Sequence, residues 1–141
     1  SSALFTVVPQ VAELVAGGKI KLSDTLGELL EEEGKNAGMT VGELLKGYED
    51  KVNAYYLQAI LNKYRRYTTI EEAAQMMFAQ MGMRNTRFVA EKPAVSGYSV
   101  PSVITDGIDY NKFKFTVGNG GKYAGKQLLS TKAAELVQSL L

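Results

Sequence analysis

The sequence contains no cysteine and no histidine among 141 residues. Without cysteine there is no disulfide, no thiolate nucleophile and no cysteine metal site. Without histidine the chain lacks the commonest general base and the commonest transition-metal ligand. These two absences exclude most zinc sites and every catalytic pair built on imidazole or thiol, and no cofactor is expected. Charge of either sign is not in excess: 16 Lys and Arg against 15 Asp and Glu leave a formal net charge of +1. That balance gives no global pull toward nucleic acid or an anionic membrane, and neither is expected as a partner. No apolar run approaches the roughly 20 residues of a membrane span. The opening residues lack a basic stretch followed by an apolar core, so no signal peptide is expected. What is present is ordinary for a soluble globular domain, with 45% hydrophobic and 22% charged residues. The length allows a single domain, residues 1–141, with one core.

The stretch with the strongest pattern is Asn53 to Thr86, which reads as two amphipathic helices and a tight exit turn. The first runs from Glu49 or Asp50 to about Tyr67, with Val52, Tyr56, Ala59, Ile60 and Lys63 along one side. The second is capped by Thr68 or Thr69, carries Ala73, Met76, Met77 and Gln80 at helical intervals, and stops at Gly82. Upstream, Phe5, Val8, Ala12 and Val15 mark a helix ended by Gly17-Gly18. Pro9 inside that pattern requires either that the helix starts there or that it kinks. Lys19 to Leu22 reads as an extended connector. Ser23-Asp24 reads as the cap of a helix over Thr25 to Glu33, with Leu26, Leu29 and Leu30 inward and the Glu31-Glu32-Glu33 run in solvent. Gly34 to Gly38 is a polar loop. Thr40 and Glu43 have capping-box spacing ahead of Val41, Leu44 and Leu45, and Gly47 closes that helix.

Downstream, Phe88-Val89 and Tyr98-Ser99-Val100 have β character, and Pro93 and Gly97 separate them. Pro101 to Gly107 reads as loop. Ile108 to Val117 fits a helix, while Phe113 and Phe115 also permit a strand. Gly118 to Gly121 is a turn and Tyr123 to Leu129 a hairpin or extended return. Ser130-Thr131 caps a last helix with Leu136, Val137, Leu140 and Leu141 as its apolar face. The expected fold is mainly α: a compact multi-helix domain with short β-hairpin or extended segments in its C-terminal half.

Several of these pieces, taken in order, resemble the helical subdomain of the serine β-lactamase and penicillin-binding-protein-like family, in its class C and esterase branch. Gly18-Lys19-Ile20-Lys21-Leu22-Ser23-Asp24 is similar to that family's "EGKLSLDD" connector, and Met39 to Leu45 to its "ITIRHLL" helix. Met81-Gly82-Met83-Arg84-Asn85-Thr86 is similar to "LGMKDT", Ser96 to Ser99 to the "GYS" element, and Gly118 to Tyr123 with Gln127 to Ser130 to "NGGKYNGKRLLS". Ser2-Ala3-Leu4-Phe5-Thr6 resembles the stretch just after the family's nucleophile. Chemistry in that family uses a serine in Ser-x-x-Lys, a tyrosine in Tyr-x-Asn and a later Lys-Thr-Gly or His-x-Gly strand. Here the lysine position falls on Ala3. The Tyr-x-Asn element falls on Lys51-Val52-Asn53, so only Asn53 is kept. The Lys-Thr-Gly strand and the family's α/β half are absent from the 141 residues. The resemblance therefore implies a helical lobe without its catalytic partner, excised, reduced or designed.

The remaining candidates each have a plainer reading. Lys51 and Asn53 are remnant positions for a small polar site, against a solvated first turn of a helix. Ser1 and Ser2 offer a displaced nucleophile, against a frayed terminus. Lys63, Arg65 and Arg66 with Tyr64 and Tyr67 mix cations and aromatics as single-strand nucleic-acid binders do, against a helix end whose cations suit the macrodipole. Met76, Met77, Met81 and Met83 read as core filler. Asp106 and Asp109 lack the spacing of a calcium loop, and Gly118 to Lys122 lacks the ending of a phosphate loop. The sequence thus points to a non-catalytic scaffold or interaction module. The alternatives are a residual hydrolase of esters or β-lactams and one fragment of a split hydrolase. The partners these imply are a second copy in a homodimer or a complementary protein fragment.

Overall fold

The computed structural model describes residues 2–65, 67–89 and 101–141. Among them the chain is mainly helical, with two small antiparallel two-stranded ladders in the C-terminal half. The centre of the packing is not the 53–86 stretch but α1, Val7–Ala16, which contacts α4, α7 and the 3-10 turn Ser2–Phe5. Val7, Val8, Val11 and Ala12 are all fully buried. A helix apolar around most of its circumference belongs inside the core. The expected single helix from Phe5 is split, because Thr6 lies outside helical geometry between the 3-10 turn and α1. Pro9 is then the third residue of α1, where a backbone N–H has no helical acceptor to lose. Neither a kink nor a later start is needed. At the far end Gly18 takes a left-handed φ of 73°, with Gly18 N–H on Val15 and Lys19 N–H on Leu14. This is the paired bond pattern of a Schellman stop.

Lys19 to Leu22 forms turns rather than an extended connector, and Ile20 inserts into the core. The next helix, α2, covers only Leu26–Leu30 and is capped by Thr25, whose hydroxyl accepts from Glu28 N–H. Ser23 and Asp24 do not cap it, since Asp24 Oδ2 instead accepts from Lys21 N–H at 2.8 Å and closes the preceding turn. The helix stops short of Glu33 because Glu31 turns into the left-handed region. Within the expected loop, Gly34–Asn36 makes a 3-10 turn. Helix α3, Val41–Lys46, carries the capping box complete in both directions between Thr40 and Glu43.

Helix α4, Lys51–Tyr64, is capped by Asp50 and ends three residues before Tyr67, where Arg65 becomes extended. Its buried face centres on Leu57, with Ala54, Tyr56, Ile60 and Leu61, so Lys63 is outside it. Helix α5, Ile70–Gln80, is capped by Thr69. It buries Ile70, Ala74 and Phe78 rather than the expected face of Ala73, Met76, Met77 and Gln80, and Met76 is 59% exposed. Phe78 and Ile70 are eight residues apart and set the helix rotation, because rigid bulky groups gain more from burial than flexible methionine. Met81 and Met83 do fill the core. A second Schellman stop ends α5, with Gly82 at φ 66° and Met83 N–H on Phe78. The "MGMRNT" run is thus a helix terminator whose methionines both face inward.

Strand β1, Arg87–Phe88, pairs with β2, Val103–Ile104, inside the segment expected to be loop. The runs containing Pro93, Gly97 and Tyr98 to Val100, and the "GYS" element with them, lie outside the described residues, as do Ser1 and Arg66. Helix α6, Gly107–Gly118, resolves the helix-or-strand choice, since Asp106 caps it through Asp109 N–H. Strands β3, Lys122–Tyr123, and β4, Lys126–Gln127, make the expected hairpin. Helix α7, Thr131–Gln138, is capped by Ser130 and buries Ala133, Ala134 and Val137, while Leu141 is exposed. Small residues there let α7 approach α1 and α6 closely. The buried side chains from Ala3 to Val137 form one core cluster.

Candidate functional site

The two remnant positions do not form a site together. Lys51 is the exposed first residue of α4. Asn53 turns back to the preceding bend, where its Nδ2 donates to the Gly47 carbonyl at 3.0 Å. Its amide thereby ties the α3–α4 turn, a structural use. Ala3, which the resemblance sets at the lysine position, is buried in the core. Ser2 Oγ accepts from Val103 N–H at 2.9 Å, so its hydroxyl fastens the 3-10 turn to β2.

The aspartates are structural in the same way. Asp109 is buried and accepts from Asn85 N–H and the Thr86 hydroxyl, which joins α6 to the exit of α5. Asp106 accepts from Asp109 N–H and Asn85 Nδ2, and these bonds hold its carboxyl below the usual carboxylate range. Among the described residues no group of three or more acidic side chains is placed to hold a metal ion.

The cation and aromatic cluster separates. Lys63 Nζ donates to the Leu29 carbonyl and joins α4 to α2. Arg65 Nη1 donates to Thr68 Oγ1 at 2.6 Å across the α4–α5 turn. Tyr67 is 95% exposed.

Arg65 and Tyr67 nevertheless open onto a concave feature of the surface. A cavity of about 360 Å³ lies between α1 and the α4–α5 turn, lined by Leu14, Leu61, Gln10, Arg65, Tyr67 and Thr68 together with Glu13. A second lobe of about 230 Å³ shares Gln10, Glu13 and Thr68 and continues past Pro9, Ala73, Met76 and Met77 to Leu128 and Leu129. The two make one groove along α1, within the range of small-molecule sites.

Its polar wall is unusual. Gln10 Nε2 donates to Thr6 and Ile70 carbonyls at 3.1 and 3.0 Å, which fixes the amide and leaves Oε1 buried without a partner. Arg65 Nε is also buried and unpartnered. Among the described residues these are the two such side-chain atoms, and both residues line the same cavity. Each orphaned group costs about 1–3 kcal/mol unless something meets it. Burial lowers the Arg65 pKa from its ordinary value, and nearby Glu71 partly offsets that. Even so, arginine keeps its charge. Glu13 is occupied elsewhere, accepting from the Ser130 hydroxyl and N–H at the start of α7.

Sequence reasoning picked out Arg65 and Tyr67 but not Gln10. The signal was there: Gln10 is the one polar residue between Val7 and Ala12 of α1. No family model, no curated protein and no solved structure matches this chain.

Proposed function

We propose that the chain is a non-catalytic helical binding module, resembling the helical half of class C-like serine hydrolases, with the groove along α1 as its binding surface. One observation carries the reading: no group that the resemblance sets at or beside a catalytic position is placed for catalysis. Ala3 packs in the core, Asn53 holds Gly47, Ser2 holds Val103, and Lys51 points into solvent on α4. Nucleophilic catalysis needs a hydroxyl within hydrogen-bond reach of a base, and the Ser2 hydroxyl is bonded to backbone instead. A chromogenic β-lactam and a nitrophenyl ester test this directly. The expected result is no turnover above buffer for the native chain; turnover that disappears in Ser2→Ala would make the chain a residual hydrolase.

A second reading, one fragment of a split hydrolase, draws on the outer face of α6. Ile108 and Phe115 are seven residues apart on one side of that helix, 65% and 60% exposed. Such a face suits a partner surface. Light scattering with and without the sheet half of a class C-like enzyme separates the readings, because a self-sufficient module gains no stoichiometric complex.

A further inference from the structure

We infer that the outer face of α6, with the β1–β2 ladder beside it, docks on an anionic phospholipid surface. This face shares no residue with the groove along α1. Ile108, Lys112 and Phe115 follow one another at helical spacing along one side of α6. Ile108 and Phe115 are 65% and 60% exposed, while Phe113, Thr116 and Val117 are buried on the other side. The ladder continues the same chemistry. Arg87 stands directly opposite Ile104, and opposed residues project to one side of a sheet. Both are exposed, as is Val89 two positions on, whereas Phe88 and Val103 pack toward the core. Cations surround these apolar groups. Lys112 Nζ donates to the Gly82 carbonyl at 2.7 Å, which lays the exit of α5 alongside the helix. From that exit Asn85 bonds Asp106 and Asp109, bringing exposed Arg84 to the start of α6. Over 84–89 and 101–129 the cations are Arg84, Arg87, Lys112, Lys114, Lys122 and Lys126, and the anions are Asp106 and Asp109. Asp109 is buried, and Asp106 has its oxygens engaged by Asp109 N–H and Asn85. The whole-chain charge of +1 conceals this excess, because the acids gather from Asp24 through Glu31-Glu32-Glu33 to Asp50. Protein interfaces are poor in lysine. Exposed Ile and Phe ringed by Lys and Arg suit the headgroup boundary of an anionic bilayer, with apolar tips inserted and cations on phosphate. No helix among the described residues is long and apolar enough to cross a membrane, so the contact is peripheral.

The test is co-sedimentation of the full chain with vesicles of phosphatidylcholine alone and of phosphatidylcholine mixed with phosphatidylserine, at neutral pH and low salt. The mixed vesicles are expected to bind at least roughly tenfold more tightly, and added salt should remove the difference. Arg87→Gln should weaken binding to the mixed vesicles roughly fivefold, the worth of one cation at an anionic surface. Phe115→Ser should weaken it at least roughly fivefold by removing an inserted ring. Leu22→Ser is the control, since Leu22 is also exposed, at 41%, but lies among the acids. It should bind as the native chain does. No binding to the mixed vesicles, equal binding to both kinds, or no effect of Phe115→Ser would each overturn the assignment. So would a homodimer that Phe115→Ser dissolves, because a second copy would then cover the face. None of these outcomes bears on the groove or on hydrolysis, so this assignment and the proposed function fail separately.

Discussion

Phe113→Ala should lower the free energy of unfolding by about 3–5 kcal/mol. Phe113 is fully buried on α6, and its ring meets Phe5 edge-on with centroids 5.0 Å apart. That pair links the 3-10 turn, which precedes α1, to a helix more than a hundred positions later in the chain. Truncation removes the transfer free energy, leaves a cavity, and loses the ring pair, itself worth about 0.5–1.5 kcal/mol. A domain of this size has about 5–15 kcal/mol in total, so the loss takes a large share of it. Phe115, two residues on and mostly solvent-exposed, is the control. Phe115→Ala should stay within about 0.5 kcal/mol of the native chain. Urea titrations of both variants check this. If the two midpoints coincide, α6 is not docked as described.

The second large effect is expected at Gly121. Its φ is 87°, and an added Cβ would overlap the carbonyl of Leu129. The contact exists because Leu128 N–H and Leu129 N–H both donate to the Gly121 carbonyl, at 2.8 and 3.1 Å. These bonds fold the β3–β4 hairpin back against its own stem and deliver Ser130 to its place as the cap of α7. Gly121→Ala should cost about 1–2 kcal/mol for the left-handed backbone and about 1–3 kcal/mol more for the overlap. Gly120→Ala separates the two contributions, since Gly120 also has a positive φ, 67°, but open space around its Cβ position. Denaturant midpoints should rank Gly121→Ala well below Gly120→Ala. Equal losses would mean that the hairpin does not fold back on Leu129.

The parts of this architecture legible in the sequence are those decided within one helical turn. Thr40 with Glu43, Thr69, Ser130, Gly18 and Gly82 all act where their chemistry places them, because a cap needs only its own hydroxyl or its own φ. The parts that were hidden are settled by partners far along the chain. The rotation of α5 follows from Phe78 finding the core and Phe88, which the methionine spacing conceals. The placement of α2 follows from Leu26 and Gly27 N–H binding the Met39 and Ala37 carbonyls, contacts no local pattern contains. The pairing of Arg87 with Ile104 is likewise invisible to a reading that sees only a proline-bounded loop. The groove belongs to the same class. Gln10 reaches Ile70 across sixty positions, and that bond, with the local one to Thr6, pins the amide and leaves its oxygen buried without a partner. Lys51 and Asn53, by contrast, are singled out by the resemblance alone, and the structure leaves Lys51 exposed and Asn53 bonded to Gly47. Fold likeness does not carry function with it.

The central claim is that this helical chain seals its apolar side around α1 and stands as one cooperative unit. Differential scanning calorimetry of the isolated chain tests it most directly. The account predicts a single transition whose calorimetric and van 't Hoff enthalpies agree, with near- and far-ultraviolet dichroism lost together. A broad transition, or helix signal persisting after the aromatic environment has melted, would show that the core around Val7, Val8 and Val11 does not hold the lobe together alone.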